Sequence, residues 1–146
     1  MTTDRSACEL CAQPGGDVLY RHAALRVVLV NDKNYPGFCR VIWNAHVQEM
    51  TDLGADDRVL LMETVWRVEA AIREVMQPDK INVASLGNMT PHLHWHVIPR
   101  YADDRHFPDA VWAAARRAAE PSDLELRMAR LPELQQAIGR QLAQVI

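Results

Sequence analysis

Cysteine is scarce in this chain. Three residues in 146 are an odd count without the spacing of a disulfide framework, which excludes a small disulfide-stapled fold. A cationic excess is also missing. Sixteen Lys and Arg against nineteen Asp and Glu give a formal net charge of −3, without the basic footprint of a nucleic-acid-binding domain. No apolar run approaches the roughly 20 residues that cross a membrane. The opening stretch through Ser6, Ala7 and Cys8 lacks the apolar core of a secretion signal. There is no internal repeat and no low-complexity tract. These absences predict a cytoplasmic protein with reduced thiols or a metal site, no nucleic-acid partner and no membrane contact. With 49% hydrophobic and 24% charged residues, the chain has the length and composition of one domain with one core.

The patterning predicts an α+β domain, a five-stranded antiparallel sheet with packed helices, spanning 1–146. It divides into an N-terminal arm (1–16), a core (17–101) and a helical C-terminal extension (102–146). Val18–His22, Leu25–Asp32 and Phe38–Ala45 read as strands of a meander, separated by turn residues. Leu61, Val65, Val68, Ile72 and Val75 repeat at helical spacing. Asp56 and Asp57 suit the helix's positive end, and Pro78 stops it. Lys80–Leu86 and Leu93–Tyr101 read as the fourth and fifth strands. Beyond Pro108, Ala-rich residues to Ala119 predict a helix ended by Pro121. Ser122 with Glu125 resembles a capping box, although Leu124–Met128 also alternates like a strand. Leu134, Ile138, Leu142 and Val145 mark a C-terminal amphipathic helix starting near Pro132.

The most informative stretch is Pro91-His-Leu-His-Trp-His-Val-Ile-Pro99. On a strand, alternate residues share a face, so His92, His94 and His96 would line up roughly 6.6–7 Å apart. Leu93, Trp95, Val97 and Ile98 would point into a core. Three of six histidines on one strand face fill a core poorly, and imidazole acts as nucleophile, proton carrier and metal ligand near neutral pH. Two other readings stand beside catalysis: a solvated face, and a metal bound by the triad itself. Three consecutive same-face residues of a flat strand converge badly on one ion.

This stretch resembles the motif of the histidine triad (HIT) family, His-φ-His-φ-His-φ-φ with φ apolar. The likeness extends to Leu29-Val-Asn31, Tyr35-Pro-Gly37, Arg40-Val-Ile-Trp-Asn-Ala-His46 and Gly87-Asn88, covering about Cys8 to Tyr101. The resemblance implies a nucleotide hydrolase or nucleotidyl transferase, acting on a phosphoanhydride or phosphoramidate such as a dinucleoside polyphosphate or an AMP derivative. His94 would be the nucleophile that forms a nucleotidyl-histidine. His96, Asn88 and the backbone near Gly87 would stabilise phosphoryl charge, and Asn31 would bind ribose. No cofactor would be needed for the chemistry. The family usually forms homodimers. Departures are a shorter loop before the triad, Met89 where a Ser or Thr is usual, and a large Trp95. A non-catalytic, zinc-stabilised nucleotide-binding module is the rival from another class.

Cys8-Glu-Leu-Cys11 has the spacing of a zinc half-site. The resemblance supplies the other half, His46 and His92, implying a closed structural Cys2His2 zinc centre. The alternative is an arm with two reduced thiols, and no βαβ pattern supports a redox motif. Asn31 and Gly87-Asn88 also read as ordinary turn chemistry. Arg100 reads either as a phosphate attractor or as a solvated strand end, and Asp103-Asp104 as a solvated loop. Cys39 reads as a small core residue, and Trp43, Trp66 and Trp112 as packing or interface residues. His22 and His106 receive no role.

Overall fold

The computed structural model describes residues 5–145. After a 3-10 turn (Arg5–Ala7), the chain forms α1 (Glu9–Ala12), β1 (Asp17–Arg21), β2 (Leu25–Leu29) and β3 (Cys39–Trp43). A second 3-10 turn (Met50–Asp52) leads to α2 (Ala55–Met76), β4 (Lys80–Ala84), β5 (His94–Arg100), α3 (Pro121–Met128) and α4 (Leu131–Leu142). The five strands form one antiparallel sheet in the order β1-β2-β3-β5-β4. The α+β architecture is as the patterning predicts, and β5 lies between β3 and the edge strand β4.

The sheet has two unlike faces because side chains alternate along each strand. Leu25, Val27, Cys39, Val41, Trp43 and Val97 join Leu61, Val65, Val68 and Ile72 of α2 in the main core, and all are buried. Leu134, Ala137, Ile138 and Leu142 of α4 complete it, packed on α2. Burying each large aliphatic side chain stabilises by about 1.5–3 kcal/mol. The helix α2 stops at Gln77, which takes a left-handed conformation (φ 48°) just before Pro78. Register places Arg26, Ile42 and His94 in line on the opposite face, followed by Val28, Arg40, His96 and Ala84.

The N-terminal arm lies on that second face. Cys8, Leu10, Val28 and Ile42 form a small cluster beneath it. Gly15 (φ +90°) allows the close approach, since a Cβ there would sit 2.8 Å from Ile42 Cδ1 and from Leu10 Cδ2. Arg26 clamps the arm: Nε donates to the Pro14 carbonyl (2.8 Å), Nη2 to the Leu10 carbonyl (2.7 Å) and Nη1 to Asn44 Oδ1 (2.9 Å).

Several sequence expectations are corrected. No helix forms between Pro108 and Ala119; this segment is irregular. Its alanines bring helix propensity but no apolar stripe to bury, and it is tied instead to the preceding loop, with Arg116 N–H donating to the Arg105 carbonyl (2.7 Å). Arg117 Nη1 donates to the carbonyls of Asp104 (2.6 Å) and Phe107 (2.9 Å). Pro121 opens α3 instead of ending a helix. Glu120 is the N-cap, so Ser122 and Glu125 lie inside the helix and form no capping box. Leu124–Met128 is helical, which resolves its ambiguous alternation. Ile98 pairs with Asn82 on the histidine face and packs with Tyr35 and Phe38, away from the main core. The strand β5 begins at His94, leaving His92 outside it.

Candidate active site and metal centre

The short arm helix brings Cys8 and Cys11 to one side, with Cys11 N–H donating to the Cys8 carbonyl (3.2 Å). His46 lies just past β3 and His92 just before β5. The two segments are tied by Trp43 N–H to the Leu93 carbonyl (3.1 Å) and Leu93 N–H to the Val47 carbonyl (2.8 Å). His92 is 1% exposed, and its Nε2 donates to the Trp43 carbonyl (2.6 Å), which leaves the Nδ1 lone pair free for a ligand. Donor atoms of Cys8, Cys11, His46 and His92 lie within 4.8 Å of one another. His46 Nδ1 is 3.3 Å from His92 Nδ1. Cys8 Sγ and Cys11 Sγ lie 3.4 and 3.5 Å from His92 Nδ1, and Cys11 Sγ lies 3.3 Å from His46 Nδ1. Tetrahedral Zn²⁺ with ordinary bond lengths requires edges of about 3.3 Å for N···N and about 3.6 Å for S···N. The donor set fits zinc and leaves no open coordination position. His94 and His96 are outside the cluster, so the triad does not close on one ion.

His94 and His96 stand on β5 with ring centroids 4.9 Å apart, 7% and 5% exposed. His94 Nδ1 donates to the His92 carbonyl (2.6 Å). The tautomer is thereby set, and Nε2 carries the free lone pair. Burial lowers the His94 pKa, the bond to the His92 carbonyl opposes this, and the nearby Arg40 cation lowers it further. Burial, with help from His94 and Arg40, depresses His96 to about 4, and its Nδ1 is buried without a partner. Phe38 and Trp112 meet the His96 ring edge-on at 5.6 and 5.1 Å.

A cavity of about 330 Å³ opens beside His94. Gln48, Met50, Thr51, Ser85, Gly87 and His92 contribute to its walls. Ser85 Oγ donates to the His94 carbonyl (2.7 Å), pinning the β4–β5 loop to the histidine-bearing strand. Gly87 turns with φ +78°, a conformation other residues rarely adopt. Asn88 is exposed on the same loop, next to the cavity wall. Asn31 is exposed at the exit of β2 and lines a separate hollow of about 40 Å³ with Met128 and Leu131; it does not line the cavity beside His94. Sequence reasoning missed Arg40, Ser85 and the 48–51 loop. Arg40 was detectable, since it holds the same parity on β3 as the triad holds on β5.

Trp112 is not purely a packing residue. It is 52% exposed yet touches His96. Trp43 is in the core, and Trp66 is 56% exposed on α2. Cys39 is fully buried, with burial pushing its thiol up to about 12, so it is inert.

Arg100 and Asp104 overturn the solvated-loop reading. They are 1% and 2% exposed and pair bidentately, Nε to Oδ2 at 2.8 Å and Nη2 to Oδ1 at 3.0 Å. Asp104 also accepts the backbone N–H groups of Tyr101, His106 and Phe107 and the Tyr35 hydroxyl. The pair therefore ties the segment after β5 to the histidine-bearing face of the sheet. Asp104→Asn, which leaves a buried guanidinium without its counter-charge, is expected to cost about 3–5 kcal/mol in urea unfolding.

Acid acts on two of these groups at different pH. Despite the opposing cost of burial, Arg100 and the backbone donors hold Asp104 well below the usual carboxylate range. Its contribution is therefore intact above about pH 4 and lost as pH falls further. His96 is depressed, so the unfolded chain binds its proton first. Stability should fall by up to roughly 3 kcal/mol between about pH 6.5 and 4. A His96→Gln variant should flatten that upper limb of the urea midpoint against pH; an unchanged limb would refute the assignment.

A family profile described as "HIT domain" matches residues 13–103. The chain belongs to the HIT family. This HIT protein is 30% identical over 105 residues to the asymmetrical bis(5'-nucleosyl)-tetraphosphatase of Schizosaccharomyces pombe, covering 68% of this chain and 57% of that protein. It thus spans a little over half the length of that relative. Among solved structures, a histidine triad protein from Marinobacter aquaeolei superposes with TM-score 0.71 at 26% identity, covering 96% of this chain and 97% of the other. A Zn-bound histidine triad family protein from Mycobacterium smegmatis shares the fold, with TM-score 0.56 at 23% identity over 92% of this HIT chain and 99% of its own. Among the described residues, no helix is long and apolar enough to cross a membrane.

Proposed function

We propose that this HIT protein is a nucleotide hydrolase or nucleotidyl transferase acting at the α-phosphate of a dinucleoside polyphosphate or a nucleoside monophosphate derivative. The observation that carries this reading is the geometry of His94: Nδ1–H is held by the His92 carbonyl, which leaves the lone pair on Nε2. Nε2 attacks phosphorus in line with the departing group. The N–P bond forms as the P–O or P–N bond to the leaving group breaks, and that bond's electron pair departs with the leaving group. Water then attacks the nucleotidyl-histidine, restoring the imidazole and releasing the monophosphate. His96, with hydrogen-bonding capacity unused at Nδ1, stands beside the phosphoryl oxygens. Gly87 and Asn88 contact the substrate from the loop, and Asn31 is the proposed ribose ligand. Zinc, held by Cys8, Cys11, His46 and His92, is structural, and the chemistry needs no further cofactor.

The name of the fission yeast relative supports a nucleotide substrate, and the Zn-bound neighbour is consistent with the metal. Two zinc-binding thiols suit the reducing cytoplasm. A homodimer is proposed through the unpaired β4 edge, where Val83 (37%) and Leu86 (54%) are exposed; sedimentation should read two copies. The functional test is to mix the protein with diadenosine tetraphosphate or an AMP phosphoramidate, quench in alkali and measure intact mass. An adduct of one nucleoside monophosphate is expected. Binding without adduct or monophosphate release would instead assign a non-catalytic module.

A further inference from the structure

Arg40 lies on the histidine face, and the proposed chemistry gives it no contact with substrate. Strand register sets it directly opposite His96. Its Cζ is 6.0 Å from the centroid of the Phe38 ring, which itself meets His96. Its one hydrogen bond runs from Nη1 to the Gly15 carbonyl at 3.1 Å, and Nε is buried without a partner. Among the described residues, no carboxylate pairs with it. The two buried arginines, Arg26 and Arg100, differ from it. Arg26 places Nε, Nη1 and Nη2 on backbone and Asn44 oxygens, and Arg100 is matched to Asp104 and Asn82. A partly buried cation with unused donors is costly unless an anion completes it. Guanidinium presents a planar fork suited to phosphate oxygens.

The position fixes which phosphate. The cavity lined by His92 and His94 lies toward the start of β5, whereas Arg40 faces His96, two residues further along the strand. We propose that Arg40 binds the non-bridging oxygens of the phosphate next to the one facing His94, so that the site prefers substrates with at least two linked phosphates. This rests on the reading that His94 faces the α-phosphorus.

Calorimetric titration of the zinc-loaded protein with adenosine, AMP and α,β-methylene-ADP separates the two claims. The wild type should bind methylene-ADP more tightly than AMP, and AMP more tightly than adenosine. Arg40→Gln should weaken methylene-ADP by about 10- to 100-fold, as expected for a charge-assisted bond, with adenosine unchanged. If the wild type gains nothing from phosphate, the functional reading itself fails. If the variant keeps the full gain from the second phosphate, the role of Arg40 fails alone. Equal weakening of all three ligands would make Arg40 merely a clamp on Gly15 and overturn the proposal. Should Arg40→Gln not fold, Arg40→Lys keeps the charge without the fork. It should then weaken methylene-ADP selectively, and an unaltered series would again overturn the role.

Discussion

Replacing His94 with alanine is expected to lower kcat by about 10⁴-fold or more, the scale seen when a covalent nucleophile is removed. No nucleotidyl adduct should be recovered after the quench. Zinc content should stay at one equivalent, because His94 is outside the four-donor cluster. The unfolding midpoint should move little in comparison with ligand variants. His96→Ala is a contrasting case. The attacking Nε2 remains, so an adduct still forms, but more slowly by about 10²-fold through loss of a group beside the phosphoryl oxygens. An adduct on His94→Ala would place the nucleophile elsewhere. Loss of zinc in that same variant would revive a metal held by the triad.

Cys8→Ser is expected to remove the metal and free the arm. Structural zinc contributes on the order of 10 kcal/mol to the sites it closes, and Cys8 is a buried ligand against the Leu10, Val28 and Ile42 cluster. The variant should contain no zinc by native mass spectrometry, and thermal unfolding should shift down by many degrees. Activity should drop as well, by a route visible in the geometry. The carbonyl that orients His94 belongs to His92, whose ring is held by the Trp43 carbonyl at Nε2 and would be held by the metal at Nδ1. His46→Ala should reproduce the same loss. A wild-type preparation free of metal, with the same melting temperature as a zinc-loaded one, would refute the centre.

Much of the site was legible in the sequence because its spacing is chemically improbable. Imidazoles alternating with apolar residues make an unlikely core strand, and the cysteine pair has metal spacing. What remained hidden depended on neighbours remote in sequence. Arg100 reads as a strand-end cation until Asp104 is seen to fold back on it, with backbone donors from three residues closing the cage. The alanines between Pro108 and Ala119 satisfy helix propensity, yet the segment is held by Arg117 on two carbonyls and delivers Trp112 to His96. Asn31 is proposed on its motif position, and it borders a hollow other than the one lined by His94.

By itself, the amino-acid order determined the alternation of the strands, the helical period and buried stripe of α2 and of α4, and which residue types could react or ligate. Those properties are local, set by alternation, helical spacing and side-chain chemistry. The surroundings that distinguish the three alternating histidines appear only in three dimensions. His92 lies two residues before the first residue of β5 and turns its Nδ1 to two thiols and His46. His94, two residues on, is held by that residue's carbonyl and faces a cavity. No local pattern distinguishes them, because the difference lies in which distant atoms complete each imidazole.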